Sequence, residues 1–428
     1  MRKMITTTCL FAAAAAFADV ATVSNVSIEQ DALSRRVSVK YNLSAPAVVT
    51  LDIQTNRGDN VYASIGAKHV VTVWKDVNRR VTPAAEGQNE ILWQPDKDWN
   101  GHKFTDANMV KAVVTAWADD ATPDYMAVSL TTTSNVFYYV SEAAVPGGVK
   151  DIRYKTDWLL MRKIPAQGVI WRMGIAPVDA SSGSNSSRAK AHLVELSSDY
   201  YIGVYEFTQR QYANVGGTYP KTPSGDNLGD TKAVCYADYG YVRWGLWDKD
   251  NPSHYTISEN DFMGKLRKLS GIDFDLPTEA QWEFAARAGE GAPIYGGKAW
   301  NNEENVLEIG WCKNTSDASQ NYVHEVGQRE PNDWGLYDVI GNVSELCLDY
   351  YSNDYEIGEN GGPVLDPAGP MQYTENKTRN PRVMRGGSFE DGVEYNSLHQ
   401  RYKHASQNGW WPLPYGFRVV SPMGGKWE

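Results

Sequence analysis

The densest set of residues able to do chemistry lies in residues 332–349, Asn-Asp-Trp-Gly-Leu-Tyr-Asp-Val-Ile-Gly-Asn-Val-Ser-Glu-Leu-Cys-Leu-Asp. Gly335 and Gly341 allow backbone conformations that a Cβ would forbid, so the chain can turn tightly there. Asp338, Asn342 and Glu345 then bring side-chain oxygens together beside free carbonyls, the donor set that a hard cation such as Ca²⁺ takes. The same residue types also satisfy local backbone groups in ordinary turns, and on spacing alone that reading is favoured. A second set, Asp391, Glu394, His399 and His404, contains the carboxylate and imidazole types that hold non-haem iron. The step from His399 to His404 fits neither helical nor strand periodicity, which favours plain surface polar residues. Glu206, Glu279 and Glu283 could pair as acid and base. Each stands beside a helix start, however, where capping, dipole or ion-pair roles are the better expectation. A Gly-x-Ser-x-Gly elbow, a His-Glu-x-x-His helix and a phosphate-binding loop are all missing from the sequence.

Several elements must position these groups. Residues 200–207 read as a strand, and Thr208-x-x-Gln211 behind them is a capping box that opens a helix. Thr278-x-x-Gln281 is a second box, preceded by Pro277 and closed by Gly289. Trp282, Ala285, Ala286 and Gly289 share one face of that helix, which makes Trp282 a core residue. Upstream, residues 22–118 hold short runs of alternating apolar and polar residues, clearest at 23–28, 36–41, 48–53, 70–74 and 110–117. Gly, Asn, Pro and Asp turns separate them, the pattern of an all-β sandwich. The stretch 87–95 with Trp99-Asn-Gly after it is similar to immunoglobulin-like modules. His69 and His102 stand alone there, so this part reads as a spacer or docking module.

Four stretches occur in an order that resembles one family. They are Tyr-Ile-Gly-Val-Tyr-Glu-Phe-Thr at 201–208 and Leu-Pro-Thr-Glu-Ala-Gln-Trp-Glu-Phe-Ala-Ala-Arg at 276–287. Then come Asn-x-x-Gly-Leu-Tyr-Asp-x-x-Gly-Asn-Val-x-Glu at 332–345 and Arg-Gly-Gly-Ser-Phe at 385–389, with Gly-Phe-Arg at 416–418. Together they resemble the formylglycine-generating-enzyme (sulfatase-modifying factor) family. The resemblance implies an α+β fold with little regular structure and long loops, related to C-type lectins, behind the all-β immunoglobulin-like sandwich. It also implies a structural calcium ion held by the side chains of Asp338 and Glu345 and by the carbonyls of Gly341 and Val343. A second such site would begin near Asn314 and Thr315. Ser344 and Leu346 replace residues that are usually Trp in the family, a change to the packing around the turn.

The family's enzymes oxidise a substrate cysteine with Cu(I) held by two cysteines between the Arg-Gly-Gly-Ser and Gly-Phe-Arg motifs. Soft thiolates suit Cu(I). Here residues 389–402 contain no cysteine, and Asp391 and Asn396 stand near the two positions. Hard oxygen donors do not replace thiolates for Cu(I), so copper is not expected. The loop 389–414 would instead line the old substrate cleft, with Tyr395, His399, Tyr402, Trp410 and Trp411 available to stack on a sugar or grip a peptide.

A net charge of −11 argues against nucleic acid as a partner. Arg2 and Lys3, an apolar run from Met4 to Ala15, and Ala-Phe-Ala at 16–18 form a secretory signal with cleavage before Asp19. That run is too short to span a bilayer, and no later stretch is long and apolar enough to do so. The expected location is periplasmic, cell-surface or extracellular. Beyond the signal, Cys235, Cys312 and Cys347 allow one disulfide and one leftover thiol, with a Cys312–Cys347 pair preferred. The domain reading is a signal at 1–18, a β-sandwich at 19–120, a linker at 121–157 and the family domain at 158–424. The leading functional expectation is a binding pseudoenzyme for a glycan or peptide. The alternatives are an oxidoreductase using another metal or a divergent mechanism, and a structural cell-envelope protein.

Overall fold

The computed structural model describes residues 21–102, 109–174, 190–219, 221–243, 257–300, 302–314, 317–352, 355, 358, 361–369, 381–404 and 414–423. The signal sequence and the Ser- and Gly-rich run 181–188 lie outside them. Among the described residues, no helix is long and apolar enough to cross a membrane.

The first eight strands confirm an all-β region. β1 (Val23–Gln30), β2 (Val37–Leu43), β7 (Asn89–Trp93) and β5 (Val73–Lys75) form one antiparallel sheet in the order β1-β2-β7-β5. In the second sheet, β3 (Ala47–Asn56) pairs with β8 (Val110–Trp117), and also with β4 (Tyr62–Ser64) and β6 (Arg79–Val81). Alternation decides which face is inside: Val37, Val39 and Tyr41 are buried while Lys40 between them is exposed. They meet Val49 and Ile53 of β3, Trp93 of β7 and Val110, Ala112 and Val114 of β8 in one apolar core. A short helix, α1 (Pro95–Asp98), ties the module together. Its Asp98 accepts from the Val71 and Thr72 amides and from the Trp93 indole.

The second region begins earlier than its motifs do. β9 (Tyr125–Ser129) and β10 (Val136–Tyr139) lie inside the stretch expected to be a linker. They extend the sheet β10-β9-β11-β14-β20 through β11 (Trp158–Ile164), β14 (Tyr200–Gly203) and β20 (Val420–Pro422). Every residue of β9 is buried, so the sheet needs this segment for its core. The linker reading of 121–157 is therefore corrected. Two smaller sheets complete the region: β12 (Val169–Met173), β13 (His192–Leu196) and β16 (Val364–Leu365), then β18 (Tyr402–His404), β17 (Arg382–Arg385), β15 (Ser344–Tyr350) and β19 (Tyr415–Gly416).

The described residues of this region also form α2 (Gln209–Val215), α3 (Tyr239–Val242), α4 (Phe262–Ser270), α5 (Glu279–Arg287) and α6 (Glu303–Ile309), with α5 against β12, β15 and β17. Both expected capping boxes are formed, Thr208 with Gln211 and Thr278 with Gln281. Helix α5 ends at Arg287, and Ala288 takes the left-handed conformation one residue before Gly289. Trp282 is 1% exposed, a core residue as expected.

Candidate functional site

The turn between α6 and β15 is built as its residue types demand. Asp338 and Asn342 have positive φ values of 54° and 57°, a region that Asp and Asn tolerate because their short polar side chains bond locally. Gly341 has φ 78°, and a Cβ there would sit 2.1 Å from the Trp311 carbonyl oxygen, so only glycine fits. Asn342 acts as a clamp. Its Nδ2 donates to Glu206 at 2.5 Å, and its Oδ1 accepts from the His324 amide at 2.9 Å. The Val343 amide donates to the other oxygen of Glu206 at 3.1 Å.

Three buried carboxylates thus gather at one turn. Glu345 is fully matched, with Arg418 donating to both of its oxygens at 2.6 Å and the Trp282 indole to one at 2.7 Å. Asp338 accepts from the Gly327 amide through Oδ2, while its buried Oδ1 has no partner. Burial pushes Asp338 up to about 6. Burial, then Asp338 and Glu345, raises Glu206 well above the usual carboxylate range. Arg418 and Lys155 are the buried cations that oppose these groups. The orphaned oxygen and the all-oxygen donor set fit a hard cation at Asp338. Glu345 can add only a remaining lone pair, because three donors already occupy it. Among the described residues, no three His, Cys, Asp or Glu side chains converge as a metal site. A cation here would therefore depend on backbone carbonyls as well.

Beside this turn, the acids on α5 are ion-pair partners rather than an acid–base couple. Glu283, 0% exposed, accepts from Arg287 at 2.8 Å, from the Gly174 amide at 2.8 Å and from Arg385. Burial alone would raise its pKa, but Arg385 and Arg287 outweigh that and hold it below the usual range. Arg401 grips both oxygens of Glu279 at 2.5 and 2.7 Å.

The loop after Ser388 brings only part of the expected cleft together. Asp391 accepts from Ser388 Oγ at 2.5 Å, and Asn396 Nδ2 donates to the carbonyls of Asp391 and Gly392 at 2.9 Å. Tyr395 and Tyr402 are half-buried neighbours with ring centroids 6.3 Å apart, and the Tyr402 hydroxyl donates to the Tyr395 carbonyl at 2.7 Å. His399 departs from the expectation. It is 2% exposed, against Ser397, and burial pushes it down to about 4, so it offers no face for stacking. Trp410 and Trp411 lie outside the described residues.

The cysteines depart as well. Cys235, Cys312 and Cys347 are all free and buried, without the expected Cys312–Cys347 disulfide. Burial pushes the Cys235 and Cys312 thiols up to about 12. Sequence reading missed the partners of the α5 acids. Arg385 and Arg401 were in view, but nothing local marks which carboxylate each would meet.

With β-rich sheets, short helices and a Gly-Asn turn clamped by a buried arginine, the second region has the build of one family. Residues 166–423 match the family described as Sulfatase-modifying factor enzyme 1-like domain, and the chain belongs to it. Two curated relatives are "Chaperone protein LppX" of Paenibacillus barcinonensis and the formylglycine-generating enzyme of Thermomonospora curvata. The first is 30% identical over 39% of this chain and 70% of the relative. The second is 34% identical over 31% of this chain and 43% of the relative, so less than half of that enzyme's length is matched. Among solved structures, PvdO from Pseudomonas aeruginosa is similar at 20% identity and a TM-score of 0.47, covering 62% of this chain and 94% of that one.

Proposed function

We propose that this is an exported member of the family that binds a peptide or glycan and does not act as a copper oxidase. The observation that carries the reading is the loop after Ser388. Asp391 and Asn396 stand near the positions where the family's copper cysteines are expected, and both side chains are tied into the loop itself. Their oxygens are hard donors, unsuited to Cu(I). The three thiols elsewhere are buried with raised pKa values, the opposite of an available thiolate. Tyr395 and Tyr402 keep part of their rings open beside this loop, and Trp410 and Trp411 belong to the same stretch. Half-open aromatic rings next to a polar loop suit stacking on a ligand. The LppX relative is named a chaperone protein, which favours a peptide over a glycan.

Calcium serves the fold in this reading and takes no part in a reaction. It would be held by the Asp338 and Glu345 side chains and the Gly341 and Val343 carbonyls. Its charge would offset the Glu206 and Asp338 carboxylates, whose raised pKa values mark a local shortage of positive charge.

Elemental analysis of the mature protein, purified without added metals, tests both halves. About one or two calcium ions per chain, without copper, is the expected result. Stoichiometric copper would overturn the binding reading. A double Trp410→Ala, Trp411→Ala variant should then lose retention of a bound peptide pool while keeping its unfolding midpoint. Loss of the fold would return both residues to the core. N-terminal sequencing of the exported protein should begin at Asp19.

A further inference from the structure

A cavity of about 70 Å³ opens at the N-terminal end of α5, lined by neither the calcium-turn residues nor the tyrosine pair. Arg401 forms one side, and its charge is already matched. Its Nε and Nη2 are on Glu279, its Nη1 donates to the Ser352 carbonyl at 3.0 Å, and its guanidinium lies 4.0 Å from the Tyr355 ring centroid. Tyr355 donates to Glu279 at 3.2 Å, and its ring stands 4.2 Å from His192.

Asp349 is different. It is 3% exposed, and its Oδ2 accepts from the Glu279 amide at 2.7 Å. The Glu279 amide is the hydrogen bond seen on its carboxylate among the described residues, and Arg401 acts on it through charge alone. A buried carboxylate lining a cavity, with the neighbouring guanidinium already committed to Glu279, is short of a cation. Met173, Ala280 and Pro367 give part of the wall an apolar surface, beside His192 and Ser352.

Size narrows the ligand. One water needs at least about 10–15 Å³ of such space, so the cavity holds roughly five heavy atoms in a chain, well short of a sugar ring. We infer that this cavity receives the butylammonium end of a lysine side chain from a partner protein, with its methylenes against Met173, Ala280 and Pro367 and its ammonium on Asp349 Oδ1. This is a second site, and it stands whether or not the tyrosine pair binds a ligand. Arg401 and Tyr402 are adjacent in the chain, yet one turns to Glu279 and the other to Tyr395.

The test is a calorimetric or NMR titration of the full mature chain with Nα-acetyl-lysine methylamide, its Nε-acetyl form and the matching norleucine compound. The lysine compound should bind at least about tenfold more tightly than the other two. Asp349→Asn should erase that preference, with its unfolding transition as the check on folding. A Tyr395→Ala, Tyr402→Ala variant should retain the preference, which separates this site from the loop. Equal binding of the three compounds to the native protein would overturn the proposal without recourse to any variant. So would an Asp349→Asn protein that still prefers lysine.

Discussion

Two buried charge networks share neighbouring strands of the second region, and they are balanced differently. The first is a ladder of alternating sign, Arg287–Glu283–Arg385–Glu279–Arg401. Each carboxylate in it lies between two guanidiniums, and Glu283 is held ionised as a result. The second gathers Glu206, Asp338 and Glu345 around the Gly341 turn, where Arg418 serves Glu345 alone by direct contact. Glu206 and Asp338 have only amide donors, and their pKa values rise. The lesson is physical. Burial is the first cause acting on Glu283, Glu206 and Asp338, and the arrangement of guanidiniums decides its outcome. The ladder is complete scaffold. The turn is short of positive charge, which is the ground for proposing a cation there.

The largest effect should come from breaking the ladder. Glu283→Gln leaves Arg385 buried with half its compensation gone, and should cost roughly 3–5 kcal/mol in denaturant unfolding. A loss below about 1 kcal/mol would mean that Glu279 alone can hold Arg385. Next, chelation with EGTA should lower the thermal midpoint by about 5 °C or more, the linkage expected of a tightly held ion. Asp338→Asn should abolish that shift, whereas Glu283→Gln should leave it intact. Equal sensitivity of both variants would erase the distinction between the networks.

Two acids on the ladder side, Glu283 and Asp349, should respond to pH with opposite sign. Glu283 lies below its usual value, so its contribution is present above about 4.5 and is lost as pH falls through its folded value. Burial, then Glu279, pushes Asp349 at the end of the ladder from 3.8 up to about 7. Because the folded state holds that proton more tightly, stability should decline as pH rises from about 4 to 7. Asp349→Asn should flatten this decline by a few degrees in the thermal midpoint at pH 8 and change little at pH 4. A profile identical to the native one would show that Asp349 ionises normally. The smallest effect concerns the helix that carries the ladder acids: Thr278→Ala removes the α5 cap and should cost about 1 kcal/mol, uniformly across pH.

Local chemistry was the legible part of this chain. Both capping boxes, the alternating strands of the first region and the Gly-Asn turn were readable because each is written in residue types at short spacing. Strands β9 and β10 were not, since β9 is buried on both faces and lacks the alternation that betrays a half-buried strand. His399 was misjudged for a related reason: a polar residue in a loop reads as exposed until something covers it. Cys312 and Cys347 looked like a pair by their positions flanking the turn, yet both stay free thiols in the core.

The sequence by itself determined the family, the starts of α2 and α5, the tight turn at Gly341 and the lack of cysteines after Ser388. These depend on residue type and short spacing. Only the tertiary structure decided which charges meet. Glu279 finds Arg401 across 122 residues, Glu283 finds Arg385 across 102, and Glu345 finds Arg418 across 73. No local pattern encodes such a match. A buried carboxylate is compatible with any guanidinium that packing brings within reach, and packing is a property of the whole fold.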